Sequence, residues 1–204
     1  MNKLLVFQIT LFLVFAGGFG YMMAYTDVYN DIKSTIVDKV CFSCIKMNPV
    51  THLSFTFETV DNKPHPKFVL DNLTKGPVFL AFRADVCTAC DEMDPILKNI
   101  FDVEFGKSEL FYQTINYSGS NVSFFHINVD PGHSSGEFLD SFSIYDKDKR
   151  SGVPMFVIIA LGNNDGTIQP YYATAYGTLS EKFLRDMISM GIDLYNQNIL
   201  NYLN

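Results

Sequence analysis

Gly76-Pro77-Val78-Phe79-Leu80-Ala81-Phe82-Arg83-Ala84-Asp85-Val86-Cys87-Thr88-Ala89-Cys90-Asp91 joins an apolar run to a short polar turn and a pair of cysteines. Residues 76–82 read as a buried strand opened by the Gly-Pro pair, and residues 91–101 as the helix that follows the second cysteine. A strand that runs into a helix through so short a turn delivers Cys87 to the helix N-terminus. There, unpaired backbone N–H groups and the helix dipole favour the thiolate over the thiol. Cys90 lies one turn along the same face, so Cys87 is expected to be accessible and Cys90 shielded. Dithiol chemistry is the leading reading of this pair; a structural disulfide or half of a metal site are the alternatives.

The remaining two cysteines form a second Cys-x-x-Cys, Cys41-Phe42-Ser43-Cys44. What these pairs mean depends on the compartment, and the N-terminal sequence speaks to that. Residues 4–25 contain no charge over 22 positions, enough at ~1.5 Å rise per residue to cross a hydrocarbon core of ~30 Å. Lys3 precedes the stretch while Asp27, Asp31, Lys33, Asp38 and Lys39 follow it, which places the tail in the cytoplasm and the rest outside. A cleavable signal peptide is the rival, with residues 4–15 as its apolar core and Ala16-Gly17-Gly18 near the cut. The apolar run continues through Phe19, Tyr21, Met22 and Met23, which favours the uncleaved anchor. Either route exports the domain, and outside the cytosol paired cysteines are stable bridges or working redox groups. The sequons Asn72-Leu73-Thr74, Asn116-Tyr117-Ser118 and Asn121-Val122-Ser123 are compatible with an exported surface.

With 48% apolar residues, 19 Phe and 11 Tyr, the chain can fill a sizeable core. Without Lys3, 14 Lys and Arg stand against 22 Asp and Glu, a net of −8 for the exported part. That balance argues against nucleic acid or anionic lipid as partners.

Residues 25–47 lack Gly and Pro and repeat apolar residues at Val28, Ile32, Ile36, Val40 and Cys44, an amphipathic helix signal. Residues 53–60 alternate like a strand, Asp61-Asn62-Lys63-Pro64 reads as a turn, and residues 68–73 as a short helix or loop. Residues 122–129 form another buried strand closed by Asp130-Pro131-Gly132. Residues 152–161 form a further strand, Asn163-Asn164-Asp165-Gly166 a hairpin turn, and residues 171–176 the returning strand. Ser180 caps a last helix through Tyr195, with Glu181 in its first turn. Strand, helix, strand, hairpin and closing helix predict an α/β domain with a mixed sheet.

Five landmarks in order resemble the thioredoxin superfamily over residues 76–190. Phe82-Arg83-Ala84-Asp85-Val86-Cys87-Thr88-Ala89-Cys90-Asp91 resembles the family's Phe-Trp-Ala-x-Trp-Cys-x-x-Cys-Lys run, and Pro95 matches its helix-kinking proline. Asn128-Val129-Asp130 is similar to the end of the next strand. Gly152-Val153-Pro154 resembles the Gly-Ile-Pro whose cis-proline faces the dithiol, and residues 176–184 resemble the closing glycine and last helix. The resemblance implies a three-layer thioredoxin-like fold around a central mixed sheet, preceded by the transmembrane helix. It divides the chain into a signal anchor over 1–25, a helical connector with the first cysteine pair over 26–50, and a thioredoxin-like domain over 51–204. It implies a thiol–disulfide oxidoreductase that exchanges with protein disulfide or dithiol substrates, needs no cofactor or metal, and meets a redox partner in the membrane. Cys87 would be the nucleophile and Cys90 the resolving thiol, with a cis Val153-Pro154 bond holding the substrate chain. Leu53 to Cys90 further resembles membrane-tethered thioredoxins of the cytochrome-maturation type.

The departures from the pattern matter. Arg83 and Val86 replace the family's two tryptophans, and Ala81 stands where many members carry a buried carboxylate, so another base or a solvent route must serve the second thiol. Asp85, Asp91 and Glu92 oppose a thiolate, although Asp91 and Glu92 also read as helix-capping charge. His126 reads as a strand-face histidine, and His133 and His65 as solvated loop residues. Cys41 and Cys44 are a structural bridge or a second redox pair. With His52, His65 or the other dithiol they could instead bind zinc. The alternative function is a copper or zinc carrier using Cys87 and Cys90, or a scaffold of the same fold whose dithiol is a fixed bridge.

Overall fold

The computed structural model describes Pro49, residues 53–134 and residues 136–202. The expected anchor, the connector helix, His52, Cys41 and Cys44 lie outside the described residues. No helix among those described is long and apolar enough to cross a membrane.

The quoted stretch forms the centre. The strand β1 (Val78–Arg83) is buried at every position. Its side chains alternate between two cores, as a strand's period of two requires. Val78, Leu80 and Phe82 face one core with Phe125, Ile127, Met155 and Val157. Phe79 and Ala81 face the other with Phe124, Phe156 and Ile158. The first core is covered by α1 (Lys67–Leu73) through Phe68, Val69 and Leu73, and by α3 (Glu137–Tyr145) through Ile144 and Tyr145. The second is covered by α2 (Thr88–Phe101) through Met93, Leu97, Ile100 and Phe101, and by α4 (Glu181–Tyr202) through Leu184, Met187 and Ile188. Each such aliphatic or aromatic side chain, fully buried, contributes about 2 kcal/mol relative to exposure. Helices on both faces explain why β1 is continuously apolar.

The sheet has five strands in the order β2-β3-β1-β4-β5, where β2 is Phe111–Tyr117, β3 Ser120–Asn128, β4 Met155–Asn164 and β5 Thr167–Tyr176. The pair β1 and β3 is parallel and the other neighbours are antiparallel, so the sheet is mixed as expected. The α2 helix bridges β1 to the hairpin β2–β3, whose turn places Ser118 and Gly119 at positive φ. The β4–β5 turn does the same with Asp165 and Gly166. Both are two-residue turns whose twist suits a hairpin.

Two expectations need correction. Residues 53–60 are not a ladder strand: only Thr56 bridges Tyr172 of β5, and Val60–Asn62 is a 3₁₀ turn. The alternation there reflects packing instead, because Leu53 and Phe55 join the second core while Phe57 stacks on Tyr171 at 4.2 Å between ring centroids. His65 is not a solvated loop residue either. It is half-buried, and its Nδ1 lies 2.9 Å from the Tyr145 hydroxyl. Burial holds its pKa below the ordinary histidine value. Of the sequons, Asn116 and Asn121 are exposed and face each other across the β2–β3 hairpin. Asn72 is buried: its Nδ2 donates to Phe68 O at 2.7 Å and its Oδ1 accepts from the Tyr112 hydroxyl at 2.8 Å.

Candidate functional site

Cys87 is the N-cap of α2. Its sulfur accepts the Cys90 backbone N–H at 3.1 Å and is bonded to the Cys90 sulfur, closing a disulfide with the two Cα atoms 5.2 Å apart. Both residues are buried, Cys87 2% and Cys90 1% exposed. The expected accessibility of Cys87 is therefore not met in this closed form. Its side chain turns inward to reach Cys90 and joins the first core with Ala84 and Val153, while Val86 beside it stands 69% exposed.

The Val153-Pro154 bond is cis, and both residues are buried at the start of β4. Asp146 shapes the loop that leads there. Its two carboxylate oxygens accept the N–H groups of Arg150 at 3.0 Å and Ser151 at 2.7 Å, and Oδ1 also accepts the Tyr176 hydroxyl at 2.8 Å. Burial, with Asp146 beside it, pushes the Tyr176 hydroxyl pKa well up. On the far side Pro154 O accepts the Gly177 N–H at 2.9 Å. The proline loop is thus held from both ends.

Of the acids expected to oppose a thiolate, Asp91 and Asp85 are paired, while Glu92 is exposed and accepts only the Thr178 hydroxyl at 3.4 Å. Asp91 is paired with Lys107 at 2.6 Å and Arg83 at 3.2 Å. Lys107, helped by Arg83 and opposed by burial, holds its pKa below the usual carboxylate value. Asp85 accepts Asn128 Nδ2 at 2.8 Å and faces His133 Nε2 at 2.7 Å. Burial works to raise its pKa, but the hydrogen bonds from Asn128 and His133 outweigh it and lower it. The Asp85 N–H also donates to Asp130 Oδ2 at 2.6 Å, which ties the cysteine loop to the loop after β3. His133 is accordingly a paired residue, not a purely solvated one.

Behind Cys90 lies a feature that local pattern did not reveal. Arg83, only 1% exposed, directs its guanidinium to Asp94 and Asp91 and donates to Ala84 O at 3.0 Å. Asp94 in turn faces His126 Nε2 at 3.3 Å. His126 is 1% exposed, lies 4.1 Å from the Phe105 ring, and leaves its Nδ1 without a partner. Burial lowers the His126 pKa, against the pull of Asp94. Arg83, Cys90, Asp94, His126 and Pro154 line one crevice. An arginine ending an apolar strand was the available sequence signal, since a buried guanidinium demands a carboxylate.

Among the described residues no group of three or more His, Cys, Asp or Glu side chains is arranged to hold a metal ion. His65 sits against the rings of Tyr145 and Tyr172. No family model matches this chain, and no curated protein matches it either.

Proposed function

We propose that this protein is an exported, membrane-anchored thiol–disulfide oxidoreductase of the thioredoxin superfamily, with Cys87 and Cys90 as its exchanging dithiol. The observation that carries the reading is the placement of Cys87 as the N-cap of α2, its sulfur already accepting a backbone N–H. When the bridge opens, that N–H and the helix dipole stabilise the Cys87 thiolate, the species that attacks disulfides. In the reducing direction the Cys87 thiolate attacks a substrate disulfide. A mixed disulfide forms and the substrate's other sulfur departs with the electron pair. Cys90 then attacks Cys87, restoring the intramolecular bridge and releasing the second substrate thiolate. The oxidising direction reverses these steps. The exposed Val86 and Thr88 flank Cys87 and would form the landing surface, and the Val153-Pro154 step, whose Val153 shares the first core with Cys87, would hold the substrate chain through its backbone. Cys41 and Cys44 are assigned to the membrane side, as a structural bridge or as the pair that exchanges electrons with a membrane partner.

Trapping tests the assignment. Cys90→Ala should accumulate mixed disulfides with exported proteins and Cys87→Ala should not; equal trapping by both, or by neither, rejects it. The second reading is a scaffold with a fixed bridge, favoured by the burial of both cysteines. Under it neither variant traps a partner and both lose stability by about 2–4 kcal/mol in chemical denaturation, the ordinary worth of a structural disulfide.

A further inference from the structure

Exchange at a buried sulfur raises a proton problem that Arg83, Asp94 and His126 are placed to solve. Cys90 must lose a proton before it can close the ring, and it regains one when the ring opens. Cys90 is only 1% exposed, so its sulfur has little contact with bulk water. Ala81 offers no acid or base there, and it is the residue directly opposite His126 in the β1–β3 register. Asp94 follows Cys90 by four residues and so shares its helix face.

The hydrogen-bond chain fixes the roles. The Asp94 carboxylate accepts from Arg83 Nη1 on Oδ2 and faces His126 Nε2 on Oδ1. A carboxylate paired with a guanidinium only accepts, so Nε2 carries the hydrogen and Nδ1 of the neutral ring carries a lone pair. That Nδ1 is buried and unpartnered. The charged and titratable groups around the ring are Arg83 from β1, Asp91, Asp94 and Lys98 from α2, and Lys107 from the segment before β2. Burial, with smaller contributions from Arg83 and Lys98, lowers the His126 pKa, while the Asp94 carboxylate works to raise it.

We propose that the Asp94–His126 pair is the proton acceptor and donor for Cys90, with Arg83 as the positioning residue that holds the carboxylate toward both. The assignment rests on the exchange reading above. In ring closure the Cys90 thiol passes its proton to the Asp94–His126 pair. The electron pair left on sulfur attacks the Cys87 sulfur of the mixed disulfide, the Cys87–Cys90 bond forms, and the bond to the substrate sulfur breaks. The substrate departs as a thiolate and takes a proton from solvent. The pair then passes that proton to solvent through Asp94, whose side chain is 13% exposed, which restores the neutral ring of the closed form, and in ring opening it takes up a proton by the same route and gives it to Cys90.

The test uses the full chain in mild detergent, carrying Cys41→Ser and Cys44→Ser, reduced and mixed with one equivalent of 5,5′-dithiobis(2-nitrobenzoate). The first release of chromophore reports attack by Cys87 and the second reports ring closure by Cys90. Relative to the first release, the second should slow by about 10²-fold near pH 7 in Asp94→Asn and in His126→Gln. Its pH midpoint should also move up toward the ordinary thiol value of about 8.5. Asp94→Glu should recover part of the rate. A second release with parental rate and midpoint in both variants overturns the proposal. Absence of the first release from the parent overturns the exchange reading, and this proposal with it. Because a variant could fail to fold, the parent supplies a second check by histidine-labelled NMR. His126 should titrate at different pH with the bridge closed and with Cys90 reduced, and identical midpoints contradict the pairing.

Discussion

Arg83 ends a strand whose five other members are apolar, and it stays buried because Asp94 and Asp91 meet it from α2. Breaking such a pair costs more than never having built it, since the Asp94 carboxylate, only 13% exposed, loses its guanidinium partner, whereas Asp91 keeps Lys107. Arg83→Met should therefore destabilise the fold by about 3–5 kcal/mol in urea denaturation, although the replacement is apolar and of similar length. A loss below about 1 kcal/mol would mean that the pair is solvated in solution. The cysteines, Pro95 and the Val153-Pro154 step could all be read from sequence because each carries a local pattern. The polar network could not. Its partners lie 11 and 32 residues apart, and no periodicity links a strand-end arginine, a mid-helix aspartate and a strand histidine. The strand-face reading of His126 was right about the element and silent about Asp94.

At the scale of elements, legibility followed burial. The strands β1 and β4 are buried over most of their length and read as nearly continuous apolar runs, whereas β3, buried as well, interleaves Ser123, His126 and Asn128 with its apolar residues. The edge strand β2 was missed because its outward positions Tyr112, Gln113, Thr114 and Asn116 are exposed. The Ser118-Gly119 turn after it was the overlooked signal. The α3 helix was missed for a related reason: it follows Gly136 and is only nine residues long, too short for a decisive period. The last helix runs to Tyr202 rather than Tyr195, and its first turn begins as expected, with Ser180 Oγ accepting the Phe183 N–H at 3.2 Å. Gly191 in its middle marks the closest approach to the sheet, since a Cβ there would lie 2.4 Å from Ile158 Cγ1 of β4. Gly191→Ala improves helix propensity by about 1 kcal/mol, yet the clash with a buried branched carbon costs about 1–3 kcal/mol. Thermal melting should fall, by several degrees; a rise would show that α4 can lift from β4 without loss.

Across the whole molecule the buried histidines set how stability responds to acid. His65 and His126 both have folded pKa values below the ordinary 6.5. The unfolded chain thus binds more protons than the native one as pH drops, and stability decreases from about pH 7 downward. Asp85 and Asp91 have lowered folded values too, so their contribution is present above about pH 4 and disappears only as pH falls through those values. Both groups act in the same direction, in successive windows. The melting temperature should therefore decline between pH 7.5 and pH 5, and a combined His65→Gln, His126→Gln variant should flatten that slope. A parental melting temperature independent of pH in this window would contradict the burial of the two rings.

The central claim, that the Cys87–Cys90 bridge is a working dithiol and not a fixed staple, meets its most direct test in a redox titration. The Cys41→Ser, Cys44→Ser protein would be equilibrated in glutathione buffers of graded potential, and its free thiols alkylated and counted by mass spectrometry. Exchange predicts reversible opening with a midpoint between about −120 and −270 mV, the range spanned by oxidoreductases of this kind. A bridge that stays closed in the native protein until potentials below about −300 mV, as structural disulfides do, would contradict the account.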